Sequence, residues 1–147
     1  MDRPPSIRKF ERLWWGSTLL WGLGTALGWG RTMDALNARP QTAQVSGLAL
    51  WGNVVVVLAL SLLLWWLAAR RGSTIGRWLV VAAAAMSGVR IMIVLIGLSG
   101  GSGVSPWAQG CFLLSAALTI WSTTMLFRPD ARPWFGEVGD DGRELLS

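Results

Sequence analysis

Four long apolar stretches, joined by short polar connections, account for most of this chain: Leu13 to Gly30, Val45 to Ala69, Trp78 to Leu98 and Trp107 to Phe127. Apart from Arg90, none contains Asp, Glu, Lys, Arg or His. At about 1.5 Å of rise per residue, a hydrocarbon core roughly 30 Å thick takes about 20 residues, so each stretch can cross, the first only just. A soluble four-helix bundle would show a polar stripe on each helix, whereas the run from Asn53 to Trp66 is apolar all round. A cleaved signal peptide is the other rival for the first stretch, because Arg8, Lys9 and Arg12 precede it. Its length, its tryptophans and its Leu27-Gly-Trp-Gly-Arg31 ending, with no small-x-small site, argue against cleavage. The pattern therefore predicts an all-α polytopic membrane protein, a four-helix transmembrane bundle over residues 13–127 with spans 13–30, 45–69, 78–98 and 107–127.

Charge sets the orientation. Four Lys/Arg precede the first stretch, Arg70, Arg71 and Arg77 lie between the second and third, and Arg128, Arg132 and Arg143 follow the fourth. The other side holds Arg31 and Arg39 only. The positive-inside rule then places both termini in the cytoplasm. The net charge of +5 is accounted for by this bias and by anionic headgroups, and its scatter over three short segments argues against nucleic acid.

Tryptophan marks the same boundaries, with eleven in the chain and no tyrosine. Trp14, Trp15, Trp65, Trp66 and Trp78 fall at one set of helix ends and Trp29, Trp51 and Trp107 at the other, as membrane-interface anchors do. Trp21 and Trp121 lie deeper, placed to pack against neighbouring helices or to line a cavity.

Outside the spans, residues 1–12 read as a basic interfacial segment in which Ile7, Phe10 and Trp14 share a helical face. Met33 to Ala38 has the makings of one helical turn ended by Arg39-Pro40, and Ser105-Pro106 reads as an N-cap followed by the first helical position. Residues 128–147, rich in Pro, Gly and charge, read as a flexible cytoplasmic tail whose Trp134-Phe135 pair touches the membrane surface.

Two features carry candidate chemistry. Gly24 and Gly28 in the first span, with Ala84 and Gly88 in the third, form small-residue faces that predict close packing of those two helices, within one chain or between copies. Arg90 is the second: a charge at the membrane centre costs about 2.5 to 3.5 kcal/mol on insertion scales. Arg90, Asn53 and Ser115 each lie eight residues from an outer helix end, hence at one depth, with Ser87 and Thr119 a turn away. Together they outline a polar layer for an anion or acidic headgroup; the competing reading has Arg90 snorkelling to lipid phosphate or reaching Asp34.

Several chemistries lack their residues. With no histidine and one cysteine, Cys111, the chain has neither a metal cluster nor a thiol pair, and no intramembrane carboxylate serves a proton relay. These gaps separate it from small multidrug transporters and quinone-linked disulfide oxidases; fluoride channels and the glutathione-binding four-helix family also carry signatures not found here. No cofactor and no metal are expected.

The opening Arg3-Pro-Pro-Ser-Ile-Arg-Lys-Phe-Glu-Arg-Leu13 resembles the start of small, uncharacterised four-span proteins of bacterial inner membranes. The likeness implies architecture and location and carries over no activity or site. The leading expectation is a non-catalytic accessory or scaffold subunit packing through its small-residue faces; its partners are the bilayer and either further copies of itself or a larger membrane complex. The alternative is a small channel or transporter for an anion or lipid-like solute, built on the layer around Arg90. A membrane enzyme acting on a lipid-soluble substrate is a third reading, for which no catalytic set stands out.

Overall fold

In the computed structural model, residues 4–40, 43–99 and 105–136 are described, and among them there is no strand. Helix α1 spans Pro5–Asn37, α2 Ser46–Trp65, α3 Thr74–Ser99 and α4 Pro106–Met125; a π-helical turn, Trp66–Arg70, extends α2, and a 3-10 helix, Pro129–Phe135, follows α4. The helices alternate in direction. One end of the bundle gathers Ile7 and Phe10 of α1, Ala68 and Ala69 of the π turn, Val80 of α3, Leu126 after α4, and Ala131 and Phe135 of the 3-10 helix into a single buried cluster. At the opposite end Trp29 of α1 meets Trp51 of α2 with ring centroids 5.1 Å apart.

Two helices are long and apolar enough to cross a membrane, Ser46–Arg70 and Thr74–Ile96, and α4 with its 3-10 helix, bent by 76°, makes a third if taken as one broken span. None of the apolar window of the first is buried against the rest of the protein and only 11% of that of the second. Leu48, Val55, Val56, Leu62 and Ile93 all face outward. In a water-soluble protein so large an apolar surface would be buried; a bilayer solvates it. The first span is less apolar than its lack of charge implies, since its sequence from Leu13 to Gly30 is built from Trp, Gly, Ser and Thr as well as Leu.

α1 is one continuous helix of 33 residues, about 50 Å long. It absorbs most of the expected interfacial segment and the turn expected after Met33. Pro5 fits the first turn because a helix needs no amide donor there. Its buried positions, Ile7, Phe10, Trp14, Ser17, Trp21, Gly24 and Gly28, recur at alternating steps of three and four, the spacing of a seam between two closely aligned helices. That seam faces α4. A Cβ on Gly24 would lie 3.0 Å from a Phe112 ring carbon and 3.1 Å from Cys111 Cβ, and one on Gly28 3.7 Å from Ala108 Cβ. The expected pairing of the first and third spans inside one chain is therefore corrected: α1 lies on α4, and a Cβ on Gly88 would meet nothing within 4 Å. Ala84, half-buried, sits on α3 four residues before that open position.

The end segments differ from expectation too. The described part of the tail is folded: Phe135 is 6% exposed, and the Trp134 indole N–H donates to the Ala68 carbonyl oxygen at 3.3 Å. The reason is local. A helix ends with carbonyl groups lacking intrahelical donors, and Trp134 supplies one where the π turn finishes α2. Gly72 makes room for it with φ +57°, since a Cβ there would fall on the Trp134 carbonyl oxygen. Arg77, 8% exposed, stacks over Phe127 and Phe135 at 4.9 and 5.3 Å from their ring centres. Asp130 closes the junction by accepting the Ser6 amide at the start of α1, at 3.1 Å. The rest of the expected tail, 137–147, lies outside the described residues.

Candidate functional site

Above the buried cluster the four helices border two half-open cavities that share Trp21 and Arg90. The larger, about 620 Å³, has Trp14, Leu64 and Ala83 among its wall residues, and these also belong to or pack on the buried cluster. That cluster is its floor. The smaller, about 320 Å³, runs from Arg90 past Asn53 and Gly28 to Trp29, Leu50 and Thr32 near the opposite end of the bundle.

Arg90, Ser87, Ser115 and Thr119 all border the larger cavity, and Arg90 and Asn53 the smaller. The five residues singled out in the sequence thus border two adjoining cavities, which together form the cleft, with Arg90 on the walls of both. Eight-residue offsets from antiparallel helix ends place groups at one depth, and the alternating helix directions put those ends at one side. Arg90 makes no ion pair with Asp34; among the described residues its guanidinium has no hydrogen-bond or ion-pair partner.

The hydroxyls around it are already engaged as donors. Ser115 donates to the Ser17 carbonyl oxygen at 2.7 Å, Ser87 to that of Ala83 at 3.0 Å, Thr119 to that of Ser115 at 3.0 Å and Thr18 to that of Trp14 at 3.1 Å. Each keeps lone pairs for accepting, so these side chains turn acceptors and methyl groups, not O–H donors, toward the cleft. The donors that remain on the walls are the Arg90 guanidinium, the Asn53 carboxamide, the Ser61 hydroxyl and the indole N–H groups of Trp21 and Trp29. Trp21 is only 7% exposed, and its N–H has no partner among the described residues.

Trp21, which the sequence places either to pack against neighbouring helices or to line a cavity, does both. The signal was present: continuing the Ile7, Phe10, Trp14 spacing by alternating threes and fours reaches Ser17 and Trp21 and puts them on the inner face. Trp121 is 57% exposed and points away. Among the expected interface anchors, Trp14 is corrected to an interior residue, 4% exposed, with its indole N–H donated to the Ser61 carbonyl oxygen at 3.1 Å. Trp15, Trp51, Trp66, Trp78 and Trp107 are exposed, and Trp29 and Trp65 half-buried. Arg71 and Arg70 lie over the Trp66 and Trp65 rings at 4.5 and 5.3 Å.

Among the described residues no group of His, Cys, Asp or Glu is arranged to hold a metal ion. Cys111 is free and half-buried beside Gly24. No family model matches the chain, and no curated protein or solved structure matches it either.

Proposed function

We propose that this protein is a four-span bacterial inner-membrane protein that binds an anionic, lipid-soluble solute in the cleft around Arg90. One observation carries the reading: two cavities open onto the same arginine, which has no counter-charge among the described residues. A cation held in a membrane without an ionic partner gains most from an anion that brings its own. The single cluster that closes one end supports binding or carriage from the other end and argues against an open channel.

Four crossings follow on this reading from the alternation of direction. If α2 and α3 cross, α1 and α4, which run beside them from the same closed end, cross as well. The basic residues Arg8, Lys9, Arg12, Arg70, Arg71 and Arg128 surround that end, which supports a cytoplasmic location for it and for both termini. No catalytic step is proposed.

The test is extraction of small anions from protein purified out of the membrane, comparing wild type with Arg90→Leu at equal yield. Anionic hydrophobic species enriched on wild type and lost from the variant support the reading; equal recovery from both removes it.

A second reading has its own observation. The face of α2 that carries Leu48, Val55 and Leu62 is exposed, which favours an accessory subunit whose α2 lies against a larger membrane complex. Copurification of one stoichiometric partner, abolished by bulky polar substitutions at Leu48, Val55 and Leu62 but not by Arg90→Leu, would establish it.

A further inference from the structure

The cleft also points to the chemistry of its ligand, and we infer that it takes a single-chain carboxylate, with the carboxylate on Arg90 and the hydrocarbon chain in the larger chamber. The inference rests on the anion-binding reading above and narrows it.

Charge comes first. Among the described residues Arg90 is the only ionisable one bordering either cavity, so one negative charge balances the site. A phosphomonoester brings about −1.5 to −2 and calls for a second cation, which neither wall offers.

Donor geometry comes second. Except at Ser61, the hydroxyl protons are spent on backbone carbonyls; this leaves a planar guanidinium and the Trp21 indole N–H where the chambers adjoin, the Asn53 carboxamide and Trp29 indole N–H in the smaller chamber, and the Ser61 hydroxyl down beside Trp14. A guanidinium pairs with a carboxylate through two parallel hydrogen bonds. Trp21, which borders both chambers, and Asn53, in the smaller, flank that pair.

Shape is the third argument. Beyond Arg90 the larger chamber is walled by Val57, Leu60, Leu64, Met86 and Ala116 and ends on Trp14. Its volume of about 620 Å³ lies within the roughly 300 to 1,000 Å³ of small-molecule sites, the scale of one chain and its headgroup. A diacyl lipid would bring two chains to a chamber of that volume.

Trp14 and Trp21 make the site readable. Bromine on an acyl chain quenches tryptophan on contact, so 9,10-dibromostearic acid is titrated into the full-length protein in nanodiscs. Dibromostearyl alcohol, a monoalkyl phosphate of the same brominated chain and brominated diacyl phosphatidylglycerol are run in parallel. The expected result is saturable quenching by the acid, displaced by unlabelled stearate, weakened about tenfold or more in Arg90→Gln, only partly restored in Arg90→Lys, which keeps the charge and loses the planar fork, and absent in a Trp14→Phe/Trp21→Phe double variant. Helicity and monodispersity of each variant are checked first. Saturable binding of the alcohol equal to that of the acid overturns the inference. If the phosphate or the diacyl lipid saturates in an Arg90-dependent way and the acid does not, the carboxylate assignment falls while the anion-binding reading stands. If no probe shows Arg90-dependent saturation, both fall.

Discussion

The Ser115 hydroxyl donates to the Ser17 carbonyl oxygen at 2.7 Å, in a contact where both residues are about 95% buried, and this bond ties α4 to α1 beside Arg90. It links helices 98 positions apart in sequence and removes a donor from the cleft at the same time. In a bilayer, where association has no hydrophobic drive, interhelical hydrogen bonds and close backbone approach hold helices together.

Ser115→Ala is expected to lower the stability of the bundle by about 0.5 to 1.5 kcal/mol, the range of such bonds in membranes. Unfolding of purified protein from mild into denaturing detergent measures it. Anion binding at Arg90 should be nearly unchanged, because the lost group is not a donor to the cleft; a large loss of binding with unchanged stability would refute that assignment.

Gly24→Leu should be far more damaging than Gly88→Leu. At Gly24 a Cβ alone is already within 3.1 Å of the Phe112 ring and Cys111, whereas Gly88 opens onto nothing within 4 Å. Overpacking a seam costs typically about 1 to 3 kcal/mol, more if the backbones must separate. The same detergent titration ranks the two, and a reversed order would mean that α1 uses its glycines against some surface other than α4.

Asp130 makes the attachment of the 3-10 helix depend on pH. Burial pushes its carboxyl up, but hydrogen bonding to Ser6 and to its own amide, with the Arg128 charge nearby, outweighs this and holds it below the usual carboxylate range. A depressed folded value means that the contribution is present above the unfolded value of about 3.9 and is lost as pH falls through the lower folded one. Hydrogen exchange of residues 129–135, corrected for the intrinsic rate, should show protection at pH 7 that fades in strong acid. Asp130→Asn should already show weaker protection at pH 7 and little further change.

Gly72→Ala is expected to release the same segment by a different route. The substitution strains a positive φ and places a methyl group on the Trp134 carbonyl. Chymotrypsin cleavage after Trp134 or Phe135 should accelerate several-fold relative to wild type, while Gly136→Ala, also at positive φ but with open space around it, should have the smaller effect. Equal rates for wild type and Gly72→Ala would show that Trp134 is not held there.

Much of the molecule is written locally. The near-absence of charge over four stretches, Pro106 and the length of each run determine that the chain forms long apolar helices and roughly where α2, α3 and α4 begin and end. Because alternating helices of similar length must lie side by side, counting residues from their ends also brings Arg90, Asn53, Ser115, Ser87 and Thr119 to the borders of one cleft. Which faces meet is a different matter, since in helices apolar on all sides no polar stripe marks the inside. Tertiary packing alone decided that Gly24 and Gly28 receive α4 in place of α3, that the Trp14 indole N–H finds the Ser61 carbonyl, and that Trp134 and Phe135 fold onto the end of the bundle. Each choice turns on a close approach or a carbonyl in need of a donor, contacts between distant segments that neither periodicity nor composition encodes.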